Sequence, residues 1–248
     1  MHRPYVFAFL AAYLILAWRL WGWRRAILWL VSGYLIAWAS EYSSIRNGFP
    51  YGEYHYIYEN LKGELLFGGV PFFDSLSYPF LIFAGYTTAK FIINSAPSPL
   101  VGEGRGEGGP SIAKTIFLGA LLTMLLDVII DPLATMGDKW FLGRIHFYAH
   151  PGWYFGVPMT NFAGWFIVAL AVIAANNALW RLFPSPLVGE GQGEGGSRQW
   201  LCPAFYAGIA LFNIAVTFWI GEWKLGLASS AILCAIGAAA LLPSRGQR

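Results

Sequence analysis

Two aspartates stand four residues apart in the apolar stretch TMLLDVIIDPLA, residues 123–134. The spacing places Asp127 and Asp131 on one face of a helix, and Pro132 favours an end or a kink of that helix at the second aspartate. Carboxylates at membrane depth are costly and usually mark a path or a reaction site. A buried pair of like charges favours holding one proton between its members, which general acid catalysis requires.

The aspartate pair has a structural alternative, and other polar residues accompany it. If the pair were purely structural, its charge would be neutralised by Arg46, Arg144 or a helix end.

Glu41 lies near the end of the second predicted span, residues 26–43, either as a cavity residue or as an interfacial carboxylate. Asn161, in VPMTNFAGW, opens the fifth span and either positions a water or forms hydrogen bonds between helices. The catalytic candidates are therefore Asp127, Asp131, Glu41 and Asn161, and the substrate-binding candidates are Asp74, Arg46, Trp165 and Tyr154.

Metal chemistry is not expected from this sequence. His146 and His150 are four apart in HFYAH, a spacing that can bind metal on a helix, but the chain has only 4 histidines. Membrane di-iron hydroxylases and desaturases resemble one another in needing many more. Cys202 and Cys234 lie far apart in or beside apolar segments, so we interpret them as packing residues.

The elements that must position these residues are membrane-spanning helices. The chain is 57% hydrophobic and 12% charged, whereas a soluble domain carries about 25% charged residues. Apolar runs near the roughly 20 residues that cross a bilayer recur throughout. We predict an all-α polytopic bundle, a single membrane domain over residues 1–248 whose N-terminal run is a first span, not a cleaved signal. The seven predicted spans are residues 4–22, 26–43, 71–94, 111–131, 158–182, 203–221 and 223–242.

Span parity places the polar residues together. With seven spans, the polar blocks 41–79 and 127–165 lie at one end of the bundle, unless region 44–70 crosses the membrane. Lys and Arg number ten at the opposite end and six at this end, which favours an outside N-terminus and an inside C-terminus in the cell membrane. The net charge of +3 is spread out, so nucleic acid is not an expected partner.

A short repeat separates some of the spans. PSPLVGEGRGEGG (97–109) and PSPLVGEGQGEGG (184–196) differ at one position. Neither copy has the Lys-Ser/Thr pair or the preceding strand of a phosphate-binding loop. We interpret both as disordered Gly-rich inserts in loops, without a catalytic part.

Four blocks of this sequence resemble a known family. EYSSIRNGFPYGEYHY, GVPFFDSLSYP, LDVIIDPLA and GWYFGVPMTNFAGW are similar, in order, to the signature blocks of the membrane carotenoid hydratases. Those enzymes hydrate the acyclic ends of γ-carotene or bisanhydrobacterioruberin. The resemblance is strong over residues 41–165. The first and the last two spans agree only as apolar helices.

The resemblance implies a substrate and a reaction. The substrate is a long polyene with an acyclic ψ end group, and water adds across its terminal double bond to give a tertiary alcohol. No redox cofactor is needed, because hydration is redox-neutral. Asp127 and Asp131 would act as acid and cation stabiliser, in an order left open, with Glu41 and Asn161 next, for water. The expected partners are the lipid-soluble carotenoid, membrane lipids and other enzymes that make or elongate carotenoids.

Three other functions stay open at this stage. A carotenoid end-group cyclase begins with the same protonation and then closes a ring. A proton-coupled transporter also uses intramembrane carboxylates, although the chain lacks the two related halves common in such proteins. A retinal photoreceptor would need a Lys deep in the last helix, where Lys224 lies only at the edge.

Overall fold

The computed structural model describes residues 3–95, 112–182 and 200–241. Within these ranges, six helices are long and apolar enough to cross a membrane. This confirms the all-α polytopic class. Both Gly-rich repeats, 97–109 and 184–196, lie outside the described residues. The helices are α1 (Pro4–Asn47), α2 (Phe72–Ser95), α3 (Ile112–Thr135), α4 (Met159–Leu182), α5 (Leu201–Trp219) and α6 (Trp223–Leu241).

Helix α1 doubles back at Gly22, whose φ of 77° and ψ of 164° are not helical. The Tyr13 hydroxyl donates a hydrogen bond of 2.7 Å to the Ala26 carbonyl. On a continuous helix these residues would be about 20 Å apart. The first two predicted spans, 4–22 and 26–43, are therefore the two arms of a helical hairpin. The six helices contain seven helical segments, as the sequence predicted.

Both arms of α1 run along α2, in opposite directions. On the first arm, Arg3 pairs with Asp74 at the start of α2. On the second arm, the Trp29 indole donates 2.9 Å to the Pro79 carbonyl, and Glu41 returns to the level of that first turn. Since both ends of α1 meet the start of α2, Arg3 and Glu41 come close to one another although they are far apart in sequence.

Helix α2 packs closely against α3 because small residues face each other. A Cβ atom on Gly85 would collide with the side chain of Thr123 and with the carbonyl of Gly119, and one on Gly119 would crowd the backbone of Tyr86. Such close approach is typical of helix pairs in membranes, where the packing of small residues substitutes for the hydrophobic effect. The contact fixes α3, and hence its aspartates, relative to the centre of the bundle.

Region 44–70 does not cross the membrane. After the end of α1 it forms β1 (Tyr54–Tyr56), a 3-10 turn (Tyr58–Leu61) and β2 (Leu66–Phe67), which pairs with β3 (Val70–Pro71). The prediction that the two polar blocks lie at one end of the bundle required that region 44–70 stay on one side of the membrane, and the structure meets this requirement. A second loop, after α3, contains a 3-10 turn (Gly137–Lys139) and β4 (His146–Tyr148). We call residues 48–71 and 136–158 together the cap.

Strands β1 and β4 pair antiparallel and join the two loops of the cap. Tyr54 lies opposite Tyr148, and Tyr56 lies opposite His146. These four side chains are buried, while the intervening His55 and Phe147 are exposed. Because side chains alternate along a strand, one face of the sheet turns toward the helices. The HFYAH segment is thus a strand followed by a bend, so His146 and His150 do not share a helix face.

Candidate active site

A cavity of about 150 Å³ lies beneath the cap, at the end of the bundle where the polar blocks meet. Residues from α1, α2, α3, α4, α5 and the cap line it. Its lower wall is apolar and aromatic. Its polar wall contains Glu41, Asp74, Asp127, Asp131, His146 and Asn161. These six residues come from the polar blocks 41–79 and 127–165, which span parity placed at one end of the bundle.

Asp127 and Asp131 share one hydrogen-bond donor. The Asn161 amide nitrogen donates 2.8 Å to Oδ2 of Asp127 and 3.4 Å to Oδ2 of Asp131. Asn161 lies in the first turn of α4, so the pair is bridged from a neighbouring helix. Asp127 is 2% exposed and Asp131 is 9% exposed. Two buried carboxylates that share one donor interact strongly with each other.

Helix α3 does not end at Asp131. It continues to Thr135, with Pro132 inside its last turn. Tertiary contacts outweigh the local preference, because Leu133 is fully buried and its carbonyl accepts a 3.1 Å hydrogen bond from the Trp140 indole. The helical spacing of the two aspartates is therefore kept across the proline.

Asp131 receives one further hydrogen bond from the cap, while Asp127 does not. The Tyr148 hydroxyl donates 2.6 Å to Oδ2 of Asp131, and His146 Nε2 lies 3.6 Å from Oδ1. Burial, and then the charge of Asp131, raise the pKa of Tyr148 well above its ordinary value, so the phenol keeps its proton and donates. Among the described residues, Asp127 accepts only from Asn161.

No arginine reaches the aspartate pair in the described part of the chain. The guanidinium of Arg46 lies 3.4 Å above the Tyr42 ring and donates to the carbonyls of Tyr42 and Gly68, outside this cavity. Arg144 also lies outside it and accepts a hydrogen bond at its carbonyl from Asn60. The neutralisation of the pair by Arg46 or Arg144, considered from sequence, does not occur.

Glu41 forms a second carboxylate centre in the same cavity. It is 4% exposed, and it accepts hydrogen bonds from the Ser75 hydroxyl and, at 3.3 Å, from the Tyr56 hydroxyl. The Tyr54 hydroxyl lies 3.4 Å from that of Tyr56. Burial, and then the charge of Glu41, raise the pKa of Tyr54 and Tyr56. Tyr54 and Tyr56 are thus hydrogen-bond donors inside the site.

Asp74 is neutralised by an arginine at the edge of the cavity. Arg3 contacts Asp74 and lies 3.1 Å from Glu64. Burial alone would lower the pKa of Arg3, but the charges of Asp74 and Glu64 raise it above its ordinary value. The cluster fastens the start of α1 to the cap and to α2.

Aromatic faces form part of the cavity wall. Trp165 stacks on Tyr78 with ring centroids 4.0 Å apart and planes 2° apart, and both line the cavity together with Tyr51. Tyr154 does not line it; its ring packs on Phe162, and its buried hydroxyl has no hydrogen-bond partner in the described ranges. Of the substrate-binding candidates, Asp74 and Trp165 therefore reach the cavity, whereas Arg46 and Tyr154 lie outside it.

Sequence reasoning did not single out several residues of this site: Arg3, Ser75, Tyr56, Tyr148 and Asn213. Period-2 alternation in EYHYIY and IHFYA was an available signal, since it predicts short strands with one buried face. Nothing local pairs these two strands, because they are about ninety residues apart in the chain.

Comparisons with known proteins identify the family of the chain. Residues 3–236 match the family model described as carotenoid biosynthesis protein. The bisanhydrobacterioruberin hydratase of Haloarcula japonica is 32% identical over 144 residues, which is 58% of this chain and 42% of that protein. The match thus spans less than half of the relative's length. No solved structure matches the chain.

Proposed function

The chain belongs to the family of carotenoid biosynthesis proteins, and we propose that it adds water to the acyclic end group of a carotenoid. The product would be a tertiary alcohol at the chain end. The observation that carries the proposal is the pair Asp127 and Asp131, bridged by Asn161 in a cavity that the cap helps to line. The hydratase from Haloarcula japonica supports the same reaction class.

We assign the first step to Asp127. It is the deeper of the two aspartates and accepts a hydrogen bond from Asn161 alone, whereas Asp131 accepts from both Asn161 and Tyr148. Donors favour the ionised form of a carboxylate. The proton of the pair therefore belongs on Asp127. Its O–H bond breaks, a C–H bond forms at the less substituted alkene carbon, and a tertiary carbocation remains at the other carbon.

Asp131 and the aromatic wall act in the second step. The negative charge of Asp131 and the ring faces of Tyr78 and Trp165 stabilise the cation. Water attacks the cationic carbon and gives its proton to Asp131. That proton then returns to Asp127 within the pair, which restores the starting state. Alkene and water become alcohol, with no net proton and no electron consumed.

The cavity takes only the end of the polyene. Its volume of about 150 Å³ is small beside a long polyene, so we assign it to the terminal isoprenoid unit. The rest of a carotenoid must lie outside, among the helices and lipid tails, so the substrate enters sideways from the bilayer. The hydroxyl then forms near the cap, at the level of the lipid headgroups.

The orientation follows from charge and is part of the proposal. Counted over the full sequence by span parity, Lys and Arg number ten at the end opposite the cap and six at the cap end. Positive residues favour the cytoplasmic side. The cap and the N-terminus would face outward in the cell membrane, and enzymes that make or elongate carotenoids would supply the substrate.

Expression in a cell that accumulates lycopene or γ-carotene tests this function. Mass analysis of the pigments should show a gain of one water per modified end. A product of unchanged mass with altered absorption would identify an end-group cyclase instead. Unchanged pigment in a strain that accumulates the protein in its membrane would overturn the proposal.

A further inference from the structure

Asn213 is a polar residue in the otherwise apolar middle of α5. The helix runs LCPAFYAGIALFNIAVTFW, and Asn213 lies eight residues after Phe205 on its inner side. It is buried and lines the same cavity as Asp127 and Asp131, with Ile209 one turn before it. An amide at this depth needs partners for both its nitrogen and its oxygen.

The amide nitrogen of Asn213 is satisfied by its own helix, but the oxygen is not. The nitrogen donates 2.9 Å to the Ile209 carbonyl, four residues earlier. In the part of the chain that the structure describes, no residue donates a hydrogen bond to the side-chain oxygen Oδ1 of Asn213, while its backbone carbonyl accepts 2.8 Å from the Thr217 hydroxyl.

Two other asparagines of this protein show how a side-chain amide oxygen is satisfied when a neighbouring hydroxyl is available. Asn176 and Asn177 also donate to the carbonyl four residues earlier, at 2.9 and 2.8 Å. Their oxygens accept from a neighbouring hydroxyl: Ser32 at 3.1 Å for Asn176, and Tyr86 at 3.3 Å for Asn177. Only Asn213 of these three lines the cavity. Its acceptor is therefore available to whatever occupies that space.

We propose that the amide oxygen of Asn213 holds the attacking water and then the hydroxyl of the product. This rests on the proposed hydration, because a hydrocarbon end group has no hydrogen-bond donor and only water or an alcohol can satisfy the oxygen. Asn213 reaches the cavity from α5, while Asp127 and Asp131 reach it from α3. Asn213 is then a further catalytic residue, contributed by a helix outside the blocks that resemble the hydratases.

If Asn213 holds the attacking water, its replacement should change the mixture of products as well as the rate of hydration. A tertiary carbocation that meets no water loses a proton from a neighbouring carbon to a carboxylate, and a C=C bond re-forms. The result is the original alkene or a double-bond isomer of unchanged mass. A held water favours C–O bond formation over this loss. Asn213 therefore sets the ratio of alcohol to isomer for each protonation event.

The test compares Asn213→Leu with Asn213→Gln, using Asn176→Leu as the matched control. All are expressed in the lycopene-accumulating cell, and alcohol and isomerised alkene are both quantified. Removal of one hydrogen bond should lower the ratio of alcohol to isomer roughly tenfold in Asn213→Leu. Asn213→Gln keeps an amide oxygen in the cavity and should recover part of the ratio. Asn176→Leu removes a buried amide far from the cavity and should leave the ratio unchanged.

The ratio keeps the test decisive if a variant accumulates poorly, since a smaller amount of protein lowers both products together. A wild-type ratio in Asn213→Leu, alongside normal hydration by the wild type, would overturn the role of Asn213 and leave the proposed function intact. An equal fall in Asn176→Leu would also overturn it, because the effect would then be structural. Absence of hydration in the wild type would instead remove the function itself.

Discussion

Replacement of Tyr148 by phenylalanine removes one hydroxyl from the site and leaves the ring. That hydroxyl donates the 2.6 Å hydrogen bond to Oδ2 of Asp131. Because burial and the charge of Asp131 raise the pKa of Tyr148, the phenol is a donor throughout the neutral range. We expect Tyr148→Phe to slow hydration, since Asp131 then meets the developing cation and the incoming proton without its best partner.

The size of the effect follows from the type of bond. A hydrogen bond to a charged group contributes about 1.5–3 kcal/mol. With about 1.4 kcal/mol for each factor of ten in rate, the variant should hydrate about 10- to 150-fold more slowly. His146 and Asn161 remain near Asp131 at 3.6 and 3.4 Å, so activity should fall without vanishing.

Tyr206→Phe is the matched control. The Tyr206 hydroxyl donates 2.8 Å to the Leu122 carbonyl, and Tyr206 is also buried but lies outside the cavity. Its loss should reduce stability by about 1 kcal/mol and leave the rate per folded molecule unchanged. The assay is alcohol formed from lycopene in membranes, normalised to the amount of folded protein.

Two outcomes would refute this reasoning. If Tyr148→Phe hydrates at the wild-type rate, the bond to Asp131 does not serve the reaction. If Tyr206→Phe slows hydration as much as Tyr148→Phe does, the loss reflects general damage to the bundle rather than the chemistry at Asp131.

Two further predictions concern the cavity wall and the fold. Trp165→Leu removes the ring stacked 4.0 Å from Tyr78 and should slow hydration about tenfold, as expected for a desolvated cation–π contact of roughly 1–2 kcal/mol; a wild-type rate for Trp165→Leu would exclude the ring from cation stabilisation. Gly22→Ala should lower stability by about 1–3 kcal/mol in thermal unfolding of detergent-solubilised protein, because the backbone at Gly22 (φ 77°, ψ 164°) is essentially restricted to glycine. Gly208→Ala, in open space on α5, is its control, and equal melting of the two variants would contradict the hairpin argument.

The membrane class, the seven helical segments and the common end of the polar blocks followed from sequence because they depend on long-range composition. Apolar runs report spans directly, and span parity then decides which loops meet. The turn at Gly22 was found as a gap between two spans, 22 to 26. Span parity predicts at which end of the bundle a residue lies, but not which side chains are in contact. It placed Arg46 and Asp131 at the same end, although the Arg46 guanidinium packs on the Tyr42 ring and does not contact Asp131.

The partners of the carboxylates were not predictable from local pattern. Tyr148 reaches Asp131, and Tyr56 reaches Glu41, only because β1 pairs with β4 across the cap. Arg3 reaches Asp74 only because α1 folds back along α2. Each contact depends on tertiary structure that neither segment encodes by itself. Asn213 likewise is identified as a site residue by its position beside the cavity and not by any motif in α5.

The most direct measurement concerns the aspartate pair itself. Asp127→Asn and Asp131→Asn keep the shape of each side chain and remove its acid–base capacity, and pigment mass in lycopene-accumulating cells reads the result. We predict a loss of hydration of roughly 10²- to 10⁴-fold in each variant, with Asp127→Asn leaving the substrate unchanged because no cation forms. Water addition that persists at the wild-type level in both variants would contradict the proposed mechanism and move the chemistry to another group in the cavity, such as Glu41.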